Sequence, residues 1–339
     1  MVRMGEFELL ARIRERLPAD GPRIHLGSGD DAAVSVPGGA TATSVDALVD
    51  GVHFRRDLAS PAQIGHKALA TALSDLAAMG AEAGEAYVVL GLPSDFSEEE
   101  CIEMLDGMTA LASATGTDLV GGDLSRAGEL FLAITVVGHS SDPAALVQRA
   151  GAQPGDALVL TGEIGGAATG LELLHNPGLA ADFARKGTIG RLKAKSAMEA
   201  LVGRQLEPAP RLAAGRELAG AGATAMIDLS DGLGADAGHL AQASGVKLAI
   251  EADAVPLSAA ARALSEASGR DPWHLLNGGE DYELLASIPP ARLAAATEAV
   301  HEEEGVSLTR IGEVRAGSGV EIRLPDCRLL EPGGFDQLA

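Results

Sequence analysis

The sequence predicts an α/β (α+β) protein of two domains, 1–140 and 141–339. Three observations carry that prediction. Short apolar runs that read as strands alternate with amphipathic stretches that read as helices along the whole chain. The 339 residues exceed the usual size of one domain, and 46% hydrophobic content is enough to fill two cores. Near the middle, Gly138 to Ala145 carries Ser, Asp and Pro and interrupts the alternation, which marks a boundary.

In the first domain, residues 6–17 read as a short amphipathic helix, with Phe7, Leu10, Ile13 and Leu17 at helical spacing and Pro18 closing it. Gly27-Ser28-Gly29-Asp30-Asp31-Ala32 is a glycine-rich loop with paired acids. The apolar run Ala33 to Val36 follows, and Gly38-Gly39 predicts a hairpin turn into a strand at Thr41 to Asp46. His53 falls in the loop after this strand. The next helix has Ser60 as its cap, Pro61 in its first turn and Gly80 at its stop. Leu69, Leu73 and Leu76 share its buried face, while Asp75 lies beside Thr71 and Ser74, either on a solvated face or where small neighbours leave room for a ligand or metal. Tyr87 to Leu92 reads as a strand, and Ser97 begins a helix through about Ala114 with Glu98 to Glu100 in its first turn. Asp118-Leu119-Val120 reads as a short strand running out into Gly121-Gly122-Asp123, and Leu130 to Val137 as another strand.

The second domain opens with a turn at Arg149 to Asp156 and a strand at Ala157 to Leu160. Thr161 to Gly166 is glycine-rich but lacks both the Gly-Lys-Ser/Thr ending of a P-loop and a Gly-x-Gly-x-x-Gly fingerprint. Helices around 165–174 and 210–219 follow. An apolar run, Ala223 to Ile227, then ends in Asp228-Leu229-Ser230-Asp231-Gly232, with Leu233, Ala237, Leu240 and Ala241 on one side of the helix beyond. Strand, loop and helix start in that order are where α/β proteins place phosphate and metal chemistry. The competing reading is an ordinary cap, with Ser230 or Asp231 satisfying free helix amides. A strand at Val246 to Ile250 and a helix near 255–268 come next. Asn277-Gly278-Gly279-Glu280-Asp281 is a further glycine–acid entry into a strand. A helix at 289–303 and strands near 308–314 and 319–323 complete the domain.

The net charge of −22 argues against nucleic acid and anionic membrane surfaces as partners, and an acidic protein that handles phosphates needs cations between. Only Cys101 and Cys327 are present, without metal-ligand spacing, so a reduced protein is the simpler expectation. The opening Met-Val-Arg-Met-Gly-Glu-Phe-Glu has no long apolar core, and no run reaches the ~18 apolar residues of a spanning helix. A soluble, cytoplasmic protein is expected.

The acids at loop or element ends are Asp30, Asp31, Asp46, Asp75, Asp123, Asp228, Asp231 and Glu280, several of them beside glycines that let backbone approach a ligand. Oxygen ligands without a His/Cys cluster select hard cations such as Mg²⁺, and aspartate-held Mg²⁺ suits phosphoryl transfer. The motifs Gly29-Asp30-Asp31-Ala32, Gly51-Val52-His53-Phe54, Ser74-Asp75-Leu76-Ala77-Ala78-Met79-Gly80, Gly121-Gly122-Asp123, Asp228-Leu229-Ser230-Asp231-Gly232 and Gly278-Gly279-Glu280-Asp281-Tyr282-Glu283-Leu284 stand in one order across nearly the whole chain. Together they resemble the thiamine-monophosphate kinase family, in the superfamily of aminoimidazole ribonucleotide synthetase and selenophosphate synthetase.

The resemblance implies an N-terminal mixed sheet that pairs across a homodimer into a barrel-like core, holding metal and ATP, with a C-terminal α/β domain alongside. It implies ATP-dependent, Mg²⁺-assisted transfer of the γ-phosphoryl group onto thiamine monophosphate, with no side chain as nucleophile or base. Carried over by position, it implies Asp31, Ser44, Val45, Asp46, Asp75, Asp123, Asp228 and Asp231 at several Mg²⁺ ions. Gly122, Asp123, Arg149 and Ser230 match ATP contacts, and His53 and Glu280 match contacts to thiamine monophosphate. Val45 stands where the family often has Thr, leaving only its carbonyl as a ligand. Near the C-terminus Pro332 occupies the position of a family aromatic, with Phe335 the available ring. Two alternatives remain: another ATP-using enzyme of the superfamily, and a non-catalytic Mg²⁺–nucleotide-binding regulator. Against the first, no cysteine precedes Cys101, where selenophosphate synthetase carries a reactive one.

Overall fold

Strand β3 (Ala40–Val49) is the longest element shared by the acids Asp46 and the hydroxyl Ser44, and its partner decides which way they point. The computed structural model describes residues 22–26, 33–176 and 191–335, with 9, 12, 13, 15, 178 and 179 besides. Among these the chain divides into two units, one of residues 1–76 and 81–143, the other of 77–80 and 144–339.

In the first unit β3, β4 (Glu82–Leu92), β5 (Asp118–Arg126) and β6 (Phe131–Ser140) form a four-stranded sheet in the order β3-β6-β4-β5. The β4–β5 pair is parallel and the others antiparallel. Helix α1 (Pro61–Ala78) and helix α2 (Glu98–Thr115) cross at glycines: a Cβ on Gly65 would sit 1.9 Å from the Met104 carbonyl oxygen, and one on Gly107 2.0 Å from that of Ala62. The helix α2 begins at Ser97 as the sequence predicts, and Ser97 caps it in a reciprocal box with Glu100. Leu132, Ile134 and Val136 of β6 are fully buried, and Leu76 of α1 closes over Gly138 at the end of the same face.

Two expectations fail here. The turn at Gly38-Gly39 does not join a hairpin. Strand β2 (Val34–Ser35) pairs with β1 (Ile24–Leu26), and β3 pairs with β6 from Ala40 opposite Ser140 to Val49 opposite Phe131. A ten-residue ladder outweighs a two-residue one, and Gly39 permits it, since a Cβ there would lie 2.4 Å from the Ser140 carbonyl oxygen. Gly121-Gly122-Asp123 is not a loop but the middle of β5. Glycine serves there for close strand approach: a Cβ on Gly122 would meet the Val88 carbonyl oxygen at 1.8 Å.

In the second unit, β7 (Ala157–Thr161), β8 (Ala225–Asp228) and β10 (Leu284–Ile288) are continuous apolar runs buried on both faces. With β9 (Lys247–Glu251), β11 (Leu308–Arg315), β12 (Gly319–Arg323) and β13 (Leu329–Leu330) they form a seven-stranded sheet ordered β13-β12-β9-β11-β7-β10-β8. The sheet is antiparallel except at β12–β9. Helices α3 (Gly166–His175), α4 (Arg191–Leu206), α6 (Leu233–Ser244) and α7 (Ala259–Ala267) contribute to one core, while α5 (Leu212–Gly220) and α8 (Leu293–Glu304) pack on each other. The sequence reading had no helix at α4. Met198, Leu201 and Val202 are its apolar positions, and Gln205 stands where that stripe continues.

Candidate active site

The candidate residues fall into two sets, one in each unit. In the first, β3 turns Ser44 and Asp46 towards α1, and Ser44 Oγ donates to Asp75 Oδ2 in a short hydrogen bond. Asp75 thus meets the strand that carries Ser44 and Asp46. Burial, and then the charge of Asp75, push the Asp46 carboxyl up to about 6. Two carboxylates that oppose each other's charge, with a hydroxyl beside them, make an oxygen-only set that a hard divalent cation would relieve, and so fit Mg²⁺. Among the described residues no group of three or more His, Cys, Asp or Glu gathers into a metal cluster. Asp31 lies outside the described residues.

Val45 points to the other face of the sheet and is 64% exposed. The register carries Asp123 to that face too, since Asp123 is opposite Val89, Val89 opposite Ala133, and Ala133 opposite Ala47. Asp123 is exposed and accepts from Ser125 Oγ at 3.0 Å. Gly122 shares the Asp46 face through Val88 and Ile134. The His53 loop is pinned twice: its Nδ1 accepts the Val49 N–H at 3.1 Å, and buried Lys67 donates to its carbonyl at 3.2 Å. Because Nδ1 accepts, the neutral ring carries its proton on Nε2.

In the second unit, the loop after β8 and the loop before β10 run side by side. Leu229 N–H donates to the Glu283 carbonyl, Tyr282 N–H to that of Leu229 and Glu280 N–H to that of Ser230, at 2.8 to 2.9 Å. This brings Asp228, Ser230, Asp231 and Glu280 together. Glu280 and Tyr282 adopt φ of 68° and 51°, and Gly279 is required, because a Cβ there would lie 2.4 Å from the Ser230 carbonyl oxygen. The C-terminal segment joins them: Phe335 N–H donates to the Asp231 carbonyl at 3.0 Å, and Pro332 lies against Gly234 in the first turn of α6. Arg149 is elsewhere. Its carbonyl accepts from Ser244 Oγ in the last turn of α6, about one helix length (~18 Å) from Asp231, which precedes the N-cap.

The cap of α6 answers the question the sequence left open. Gly232 is the N-cap and makes no side-chain cap bond. Asp236, inside the first turn, accepts from Asp231 N–H and Gly232 N–H at 3.1 and 3.0 Å. Burial, then the charge of Asp228, pushes its carboxyl up to about 7. Neither Ser230 nor Asp231 serves as the cap.

Sequence reasoning also missed the support of the Glu280 loop. Glu283 is fully buried and takes hydrogen bonds from Arg211, Arg204 and Thr161 Oγ1 at 2.7 to 3.0 Å. Asp281 accepts from Gly165 N–H and Ala167 N–H at the start of α3, and Gln205 Nε2 donates to Glu280 Oε2 at 2.6 Å. A polar residue at an apolar helix position was the available signal for Gln205.

Comparison with known proteins matches residues 29–140 to the AIR synthase related protein N-terminal domain and residues 153–325 to the C-terminal domain of the same family. The thiamine-monophosphate kinase of Mycobacterium tuberculosis H37Rv is 40% identical over 292 residues, covering 84% of this chain and 80% of that protein. The crystal structure of thiamine-monophosphate kinase from Stenotrophomonas maltophilia K279a superposes with a TM-score of 0.80 at 37% identity, covering 94% of this chain and 96% of that one. The chain belongs to the thiamine-monophosphate kinase family. A structure described as AaThiL complexed with AMPPCP and TMP is 31% identical with a TM-score of 0.74, covering 99% of this chain and 98% of that one. Family membership thus extends over both units and both sets of candidate residues.

Proposed function

We propose that this chain is an ATP-dependent thiamine-monophosphate kinase, moving the γ-phosphoryl group of ATP onto the phosphate of thiamine monophosphate to give thiamine diphosphate and ADP. The observation that carries this reading is the Ser44–Asp75–Asp46 set in a chain 37–40% identical to such kinases over most of its length. Asp31, Ser44, the Val45 carbonyl, Asp46, Asp75, Asp123, Asp228 and Asp231 are assigned to Mg²⁺. Bound Mg²⁺ would supply neutralisation of the phosphate oxygens of both substrates.

The chain's own residues bind and orient. Arg149 offers a guanidinium fork to a phosphate of ATP, and Gly122, Asp123 and Ser230 complete the nucleotide contacts. His53 presents Nε2–H, Glu280 a carboxylate, and Phe335 with Pro332 an exposed apolar patch, to thiamine monophosphate. No side chain is assigned as nucleophile or base, because a phosphate oxygen of the acceptor attacks directly.

Residues 1–140 are assigned metal and ATP binding and dimerisation. The sheet face that carries Val45 and Val89, 64% and 37% exposed, with Ala47, Ala133 and Asp123, is the surface offered to a second copy, which would close it into a barrel-like core. Val45 and Asp123 lie on that face, opposite the one that carries Ser44 and Asp46. A cytoplasmic location accompanies this reading. No helix among the described residues is long and apolar enough to cross a membrane.

Purified protein with ATP, Mg²⁺ and thiamine monophosphate is expected to form thiamine diphosphate, and Asp75→Asn to lose at least about 100-fold in turnover. Mg²⁺–ATP binding without product, seen by calorimetry beside the assay, would replace the kinase with a nucleotide-binding regulator. Product from a different acceptor would replace the substrate.

A further inference from the structure

Gln205 is a polar side chain buried to 3% exposure in the last turn of α4. Its Nε2 donates to Glu280 Oε2, while among the described residues its Oε1 has no hydrogen-bond partner. The amide orientation follows from chemistry, because an ionised carboxylate can only accept, so the NH₂ end must face Glu280. A buried amide oxygen without a donor lowers stability. Arg204, one residue earlier, shows what a supporting contact at this turn looks like: it donates to the Glu163 carbonyl at 2.6 Å and to Glu283 at 3.0 Å. Among the described residues Gln205 has no such second bond. An apolar residue of the same length would suit the fold better, since the position continues the stripe of Met198, Leu201 and Val202.

Glu280 is the residue that gains. Its backbone is held at φ 68° with its N–H on the Ser230 carbonyl, and the bond from Gln205 sets the direction of its side chain. We propose that Gln205 is a positioning residue that aims the Glu280 carboxylate at thiamine monophosphate, a cationic, amino-bearing acceptor for which a carboxylate is the complementary group. The proposal rests on the reading of Glu280 as a substrate contact.

The test is Gln205→Met in the full chain, a change that keeps length and volume and removes the polar atoms. The KM for thiamine monophosphate is expected to rise about tenfold, with the KM for ATP and kcat within about twofold of wild type. The Tm is expected to stay or to rise, because the unpaired oxygen is gone. A lower Tm with both KM values altered would make Gln205 a structural residue and overturn the proposal. In a Glu280→Ala background, Gln205→Met is expected to add nothing, and a further rise in KM would show that it acts on its own. Wild-type protein that makes no thiamine diphosphate overturns the functional reading and this one with it. An active wild type whose KM is unmoved by Gln205→Met overturns this one alone.

Discussion

Asp281 is buried between two opposing demands. Two N–H groups at the start of α3, a position favourable to an anion, donate to its carboxylate. Burial outweighs them and the Arg204 charge, and pushes its pKa from the ordinary 3.8 up to about 6. A carboxyl whose folded pKa is raised binds its proton more tightly in the folded chain. Its contribution to stability is therefore full below about 3.8 and lost as pH rises through about 6. Asp46 and Asp236 are also raised, to about 6 and about 7, so the whole-protein curve mixes several groups. Asp281→Asn isolates one of them. In thermal unfolding from pH 4 to 8, the margin of wild type over this variant is expected to shrink as pH rises through about 6. A margin that widens over that range would show that the two N–H bonds, and not burial, govern the group.

At the scale of elements, the loop before β10 is held by α4 and by the start of α5. Arg204 and Arg211 both reach Glu283, and Gly162 leaves space for that carboxylate, since a Cβ there would lie 2.3 Å from it. Such a buried cluster is costly to break singly, because the remaining carboxylate loses part of its charge compensation where no water replaces it. Arg211→Met leaves Glu283 with Arg204 and Thr161 only, and is expected to cost about 3 kcal/mol in urea unfolding. An unchanged midpoint would mean that Arg204 alone satisfies the carboxylate. The same cluster explains why the candidate site depends on a helix the sequence reading lacked. The segment before α4 carries Asn176-Pro177-Gly178 and Lys186-Gly187, whose turn signals obscure the weak apolar stripe that follows.

For the molecule as a whole, the open face of the four-stranded sheet determines the expected assembly. Exposed Val45 and Val89 on one sheet face are an apolar surface that a second copy would cover. Light scattering on the purified chain is expected to give a dimer, and Val89→Glu, which places a charge on that face, a monomer. A wild-type monomer, or a dimer untouched by Val89→Glu, would remove the barrel-like core from the account.

By itself the sequence determined the kinds and order of most elements and singled out a set of candidate acids, because helical and strand periodicity, caps and glycine–acid motifs are local properties of the chain. The helix α2 begins at Ser97, and Leu233, Ala237, Leu240 and Ala241 are the buried side of α6, as their patterns predict. Tertiary structure decided what depends on contacts between distant residues. Strand register sent Asp46 and Asp123 to opposite faces, although both were read as one kind of site. The cap of α6 went to Asp236, leaving Ser230 and Asp231 to the loop. Glu280 accepts a hydrogen bond from Gln205, 75 residues away in the chain. Local pattern cannot encode these choices, because each is settled by which backbone lies alongside and how closely its atoms can approach.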